Sequence, residues 1–152
     1  MNFFFDSSAL IKIYHYEHGS EEIVKIYNSD QTIFITELSK VEFLSAIHRK
    51  YREEIISEST LEILINRINF DIENRYTMLC FSTAVIETAA DIIKKYNRKN
   101  FLRTLDVIQV SFFELHCEKD DLFVCFDDRL NLVLKENNYR IYDNQQQPGK
   151  PE

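Results

Sequence analysis

Three consecutive phenylalanines, Phe3 to Phe5, stop at the carboxylate of Asp6 near the start of the chain. Such a run is typical of a short strand buried in a parallel sheet. Ser7 and Ser8 then lead into a helical pattern. In open α/β sheets ligands bind at the carboxyl ends of the strands, so Asp6 is expected at the edge where chemistry occurs. The alternative is that Asp6 only caps the following helix.

The same layout returns late in the chain. The apolar run 122–126 predicts a strand buried on both faces. It ends at Asp127, which is followed by Asp128 and by a predicted helix over 129–136. Either aspartate could be a helix cap, but one cap requires only one of them.

The residues between these two strands alternate between strand and helix patterns, as in an α/β chain. Further strands are predicted over 32–36 and 77–82, with a short edge strand over 139–142. Helices are predicted over 8–17, 20–28, 37–54, 57–76, 83–96 and 101–117.

Two more acids lie on the predicted helices. Glu42 borders an apolar stripe beside small residues, where a covered carboxylate would need compensation. Two alternatives stay open for it: a capping box with Ser39, or a side chain that faces water. Asp106 lies on a helix that is apolar almost all round and is therefore expected to be buried. It would need a metal ion or a cation, and Arg103 is the candidate cation.

The composition suits one globular domain, expected over residues 1–143, with a disordered tail over 144–152. No apolar run approaches the roughly 18 residues of a membrane span. The first residues do not resemble a signal peptide, so a cytoplasmic protein is expected. Cys80, Cys117 and Cys125 form no C-x-x-C pair and are expected to be buried free thiols.

The two glycines, Gly19 and Gly149, cannot form a phosphate-binding loop. Phosphate chemistry would therefore depend on carboxylates and metal. The net charge of −7 argues against a general nucleic-acid coat, but not against a local basic patch. The candidate nucleic-acid contacts in one such patch are Lys94, Lys95, Arg98, Lys99 and Arg103. The alternative is a solvated helix end whose cations complement the helix dipole.

With these acids placed, the sequence resembles the PIN-domain family and, within it, the VapC-like ribonuclease toxins of toxin–antitoxin modules. The resemblance covers about residues 2 to 143 and rests on four blocks in order. They are Asp6-Ser7-Ser8-Ala9-Leu10-Ile11-Lys12-Ile13-Tyr14, Val41-Glu42 with Ala46, Leu102-Arg103-Thr104-Leu105-Asp106-Val107-Ile108-Gln109, and Phe126-Asp127-Asp128-Arg129-Leu130. Val107, Gln109, Cys125 and Asn138 depart from the frequent alanine, histidine, threonine and glycine, and no departure removes an acid.

The resemblance implies a Rossmann-like, three-layer α/β/α fold with a central, mainly parallel sheet. It also implies that four acids converge around one or two Mg²⁺ or Mn²⁺ ions, which prefer oxygen ligands. These acids are Asp6, Glu42, Asp106 and Asp127. Ser8 would orient Asp6 or a water, and Asp128 would assist a second ion or only cap. Without metal, such close carboxylates repel one another, so at least one should have a raised pKa.

The implied activity is metal-dependent hydrolysis of RNA phosphodiester bonds by a homodimeric toxin that a small antitoxin protein neutralises. Three alternatives stay open. One is a housekeeping RNA-processing nuclease without an antitoxin. Another is a non-catalytic protein-binding module with a vestigial acidic site. The last is an aspartyl-phosphate protein, although Ser8 stands where its phosphatase form needs a second aspartate.

Overall fold

The computed structural model describes residues 1–97, 99 and 101–142. Its strands are β1 (Phe3–Phe5), β2 (Ile33–Thr36), β3 (Tyr76–Leu79) and β4 (Leu122–Val124). Its helices are α1 (Ser7–Tyr14), α2 (Ser20–Tyr27), α3 (Glu37–Arg52), α4 (Glu58–Asn74), α5 (Thr83–Tyr96), α6 (Thr104–His116) and α7 (Asp128–Glu136).

The four strands form one parallel sheet in the order β3-β2-β1-β4. The central strand β1 pairs with both of its neighbours, and Phe3 stands opposite Ile33 on one side and Leu122 on the other. The predicted edge strand over 139–142 is reduced to an isolated parallel bridge between Phe123 and Ile141. The α/β prediction with a mainly parallel sheet is confirmed.

Helices cover both faces of the sheet, and the alternation of side chains along β1 divides the core in two. Phe3 and Phe5 pack into one cluster with residues of α2, α3 and α4, including Phe43. Phe4 packs into the other cluster with residues of α5, α6 and α7, including Phe112. The predicted three-layer α/β/α architecture is therefore confirmed.

Two expectations about burial are wrong. The helix α6 is not covered all round, because Leu105 is 47% exposed and Leu115 is 41% exposed. Cys80 follows the end of β3 and is exposed, so the three thiols do not share a buried environment. The apolar composition of these segments does not show which side chains face the core. The packing of neighbouring elements decides which side chains are buried.

Some element ends differ from the predicted ones. The strand predicted over 122–126 ends at Val124, and the amide of Phe126 bonds the hydroxyl of Ser8 instead of a neighbouring strand. The helix predicted from residue 101 begins at Thr104, since the preceding Arg103 is extended. The predicted tail over 144–152 lies outside the described residues. Within those residues, no helix is both long and apolar enough to cross a membrane.

Candidate active site

The strand order places a crevice between β1 and β4. The chain passes from β1 to β2 and β3 on one side, and then returns to add β4 on the other. Ligands in open α/β sheets bind at such a reversal, beyond the carboxyl ends of the strands. Asp6 follows β1 at this point, and its backbone N–H donates to the carbonyl of Val124 at 3.1 Å.

Asp6 is buried and occupies the N-cap position of α1, but its side chain makes no cap bond there. The hydroxyl of Ser8 donates to Asp6 Oδ2 at 3.0 Å, and that of Ser7 to Asp6 Oδ1 at 3.4 Å. Ser8 Oγ also accepts the N–H of Phe126 at 3.0 Å. Ser8 therefore joins Asp6 to the backbone beyond β4.

The start of α3 sets the position of Glu42. Thr36 is the N-cap: its hydroxyl accepts from Ser39 N at 3.0 Å, and the Ser39 side chain completes the capping box. The alternative box between Ser39 and Glu42 does not form, because α3 begins three residues earlier. Glu42 is partly buried, and Gln109 Nε2 donates to its Oε2 at 2.9 Å.

The four acids influence one another electrostatically. Burial raises the pKa of Glu42, and the charges of Asp6 and Asp106 raise it further. Hydrogen bonds from Gln109 and Ser7 oppose this rise. Burial also raises the pKa of Asp106, as do the charges of Asp6 and Asp127, while Arg103 opposes the shift. The expected rise in the pKa of at least one carboxyl is therefore found in two of them.

Asp127 is the N-cap of α7, the role that the sequence left open between Asp127 and Asp128. Its Oδ1 accepts the N–H groups of Arg129 and Leu130, each at 3.0 Å, at the start of α7. Its Oδ2 lies 3.9 Å from Arg103 Nη1, so Arg103 forms its ion pair with Asp127. Asp128 is exposed in the first turn of α7.

Among the candidate RNA contacts that the structure describes, Arg103 lies beside an acid of the site, Asp127. Lys94 forms an ion pair within α5 at 2.9 Å, and Lys95 lies over the ring of the next residue at 4.7 Å. Lys99 is exposed, and Arg98 lies outside the described residues. The patch is therefore partly neutralised by its own helix.

The donor set at this edge fits a hard divalent cation, because it consists of carboxylate oxygens beside hydroxyls. In the part of the chain that the structure describes, no three His, Cys, Asp or Glu side chains are close enough together to hold one ion as they stand. Mg²⁺ usually keeps several waters and is bound through one or two carboxylates, so a closed cage of protein ligands is not required.

Sequence reasoning gave no role to Gln109. Gln109 is almost fully buried on α6, and Thr36 Oγ1 donates to its Oε1 at 3.1 Å. The available signal was a neutral polar residue one turn after Asp106 on an apolar helix. A buried polar group must find a partner, so that position calls for one.

A family profile described as the PIN domain matches residues 3–135. No curated protein sequence matches the chain. The crystal structure of FitAcB from Neisseria gonorrhoeae is similar with a TM-score of 0.72 and 11% identity, and the match covers 95% of this chain and 99% of that chain.

Two other solved structures share the fold. The crystal structure of Mycobacterium tuberculosis VapC20, a sarcin–ricin loop cleaving toxin, gives a TM-score of 0.65 at 8% identity over 87% of this chain and 95% of that chain. VapBC2 from Rickettsia felis, bound to a DNA fragment from their promoter, gives 0.65 at 11% identity over 93% and 96%. Such identities show a common fold, and the profile match over most of the sequence shows the family: this chain belongs to the PIN domain family.

Proposed function

We propose that this protein is a metal-dependent endoribonuclease and the toxin of a toxin–antitoxin pair. The observation that carries the proposal is the electrostatic influence of these acids on one another: burial raises the pKa of Glu42 and Asp106, the charge of Asp6 adds to both shifts, and that of Asp127 adds to the shift of Asp106. Acids assembled at that cost to folding are typical of a functional site rather than of a structural one.

The acids Asp6, Glu42, Asp106 and Asp127 would hold Mg²⁺ or Mn²⁺. A bound divalent ion would supply positive charge that lowers the pKa of a water and offsets charge on the phosphodiester. The residues of the chain fix the geometry: Ser8 holds Asp6 against the end of β4, and the first amides of α7 hold Asp127 Oδ1. Asp128 would assist a second ion, or its charge would only stabilise the first turn of α7.

Protein partners are proposed by analogy with the structural neighbours. FitAcB and VapBC2 share the fold, and a toxin–antitoxin complex from Klebsiella pneumoniae does so with a TM-score of 0.58, 12% identity and coverage of 82% and 85%. An antitoxin that presents basic residues would complement a chain of net charge −7. A homodimer, one PIN domain over 1–143 and a cytoplasmic location complete the proposal.

The test is RNA cleavage by the purified full chain with Mg²⁺, with Mn²⁺ and with a chelator. Asp6→Asn and Asp106→Asn should each lower the rate by at least about 100-fold while the circular dichroism spectrum is retained. Asp120→Asn is the matched control, because Asp120 is an exposed acid that pairs with Arg140 away from the crevice. Cleavage that continues in the chelator, or in both crevice variants, contradicts the assignment.

A second experiment separates the toxin from its alternatives. Expression should arrest growth, and co-expression of a cognate antitoxin, sought among small adjacent genes, should restore it. An active enzyme that never slows growth would instead be a housekeeping nuclease. A folded wild type that binds no Mg²⁺ or Mn²⁺ by calorimetry and cleaves no RNA would be a protein-binding module.

A further inference from the structure

Gln109 is one of the most enclosed polar residues near the acids, with 1% of its surface exposed. It lies on α6 one turn beyond Asp106 and reaches two other elements. Its Oε1 accepts from Thr36 at the end of β2, and its Nε2 donates to Ser39 and Glu42 on α3. Gln109 thus joins the helix of one acid to the helix of another.

The orientation of the amide follows from counting protons. The hydroxyl of Thr36 gives its one proton to Gln109 Oε1, at 3.1 Å. The Ser39 hydroxyl, 3.0 Å from Thr36 Oγ1, must then donate to Thr36, which leaves Ser39 Oγ to accept from Gln109 Nε2 at 3.1 Å. The remaining N–H of Nε2 points to Glu42 Oε2 at 2.9 Å. A flipped amide would set oxygen against carboxylate and is excluded.

We propose that Gln109 is a positioning residue that fixes the Glu42 carboxylate for binding of the divalent ion, an inference that rests on the proposed function. A glutamate on a helix surface has several rotamers, and restricting one costs entropy at each binding event. The amide restricts Glu42 in advance. Groups that orient metal ligands in this way typically contribute 10- to 100-fold to metal affinity.

The neutral charge of the amide is as important as its direction. A lysine or arginine at this position would form an ion pair with Glu42 and supply the positive charge that the metal ion supplies in the proposed site. Gln109 donates a hydrogen bond without adding charge. It therefore orients Glu42 and leaves the carboxylate available to a cation.

The experiment measures Mn²⁺ binding to the full chain by electron paramagnetic resonance of the free ion. Gln109→Met keeps the length and burial of the side chain but removes the donor. We expect its Mn²⁺ affinity to fall about 10- to 100-fold. The KM for RNA should be unchanged, and saturating Mn²⁺ should restore kcat. A purely structural role would not give recovery by metal.

Ser111→Ala is the control, because Ser111 is also buried on α6 but donates only within the helix, to Val107 O at 2.7 Å. Its Mn²⁺ affinity should equal that of wild type. An affinity of Gln109→Met within twofold of wild type overturns the inference but leaves the proposed function intact. A wild type that binds no Mn²⁺ and cleaves no RNA overturns both.

A second pair of variants covers the case in which Gln109→Met does not fold. Thr36→Val removes the hydroxyl that holds Gln109 Oε1, whereas Thr36→Ser retains it. Both variants disturb the same position at the start of α3. Weaker Mn²⁺ binding by the valine variant alone is expected, and equal affinities of the two overturn the inference.

Discussion

The ammonium of Lys12 lies 4.3 Å from the centroid of the Phe126 ring. Lys12 is 8% exposed, and its Nζ also donates to the carbonyl of His18 at 2.6 Å and lies 3.5 Å from Glu17 Oε2. One cation therefore joins α1, the turn between α1 and α2, and the residue directly before Asp127. The first and last acids of the candidate site share this support.

Removing the ammonium of Lys12 should destabilise the packing between α1 and the segment that precedes Asp127. Lys12→Met retains the apolar stem but loses the hydrogen bond and the cation–π contact, and we expect a loss of about 1–3 kcal/mol in the free energy of unfolding. Urea denaturation measures the change. Lys25→Met, which breaks the exposed pair with Glu22, should change stability by less than about 1 kcal/mol. Equal stability of the two variants would contradict the role of Lys12.

A tyrosine pair beneath α4 predicts a second stability effect. The hydroxyl of Tyr14 donates to Asp71 Oδ2 at 2.7 Å and lies 2.9 Å from the hydroxyl of Tyr76. Asp71 is 4% exposed, and burial raises the pKa of Tyr14 well above its usual range, so Tyr14 stays a donor. Tyr14→Phe leaves a buried acceptor short of a partner and should cost about 1–3 kcal/mol.

The matched control for that variant is Tyr16→Phe. Tyr16 is exposed and its hydroxyl donates to Glu21, so its loss should be nearly neutral in the same thermal or urea denaturation. If the two variants have the same free energy of unfolding, the burial of Asp71 does not depend on the hydroxyl of Tyr14.

The acid dependence of stability should include a contribution from Glu17. Partial burial raises its pKa, but the hydrogen bond and charge of Lys50 and the charge of Lys12 outweigh burial, so the net pKa is lowered. A lowered carboxyl pKa stabilises the fold above the unfolded value of about 4.3, and this is lost as pH falls through the folded value.

Glu17→Gln should therefore cost about 0.5 kcal/mol at pH 7, a small figure because the pair is partly exposed. The difference from wild type should shrink as the pH falls below about 5. Urea titrations at pH 7, 5 and 3 would measure it. A difference that stays constant across this range would show that charge is not its source.

The three thiols should differ in reactivity. Cys80 is exposed, whereas burial raises the pKa of Cys117 to about 12, with further effects of Asp121 and Glu118. Burial and then the charge of Asp6 raise the pKa of Cys125. Because the thiolate is the reactive form, a disulfide reagent at pH 8 should label one thiol quickly and the others on unfolding. Cys80→Ser should remove the fast phase.

Patterns of local sequence predicted the fold well. Apolar runs that stop at Asp6 and Asp127 marked the strands β1 and β4, and helical periodicity marked every helix that the structure describes, with ends off by a few residues. The prediction of an edge strand over 139–142 was wrong, because pairing with β4 is limited to one bridge at Ile141. Strand pairing depends on a partner that local sequence does not show.

The environment of each acid was beyond prediction for the same reason. Gln109 and Glu42 are 67 residues apart in sequence, and Lys12 and Phe126 belong to opposite ends of the chain. Spacing within a helix says nothing about such contacts. The roles of the four acids as metal ligands stay a prediction, whereas their neighbours can now be named.

The bond between Phe126 N and Ser8 Oγ spans 118 residues, and β4 pairs directly with β1. Contacts of such long range form slowly, and synthesis delivers the chain from its N-terminus. The crevice cannot be complete until β4 has left the ribosome and paired with β1. A nascent chain would therefore carry Asp6 in an unfinished crevice, and the activity proposed for this crevice could begin only after β4 has been made and has paired with β1.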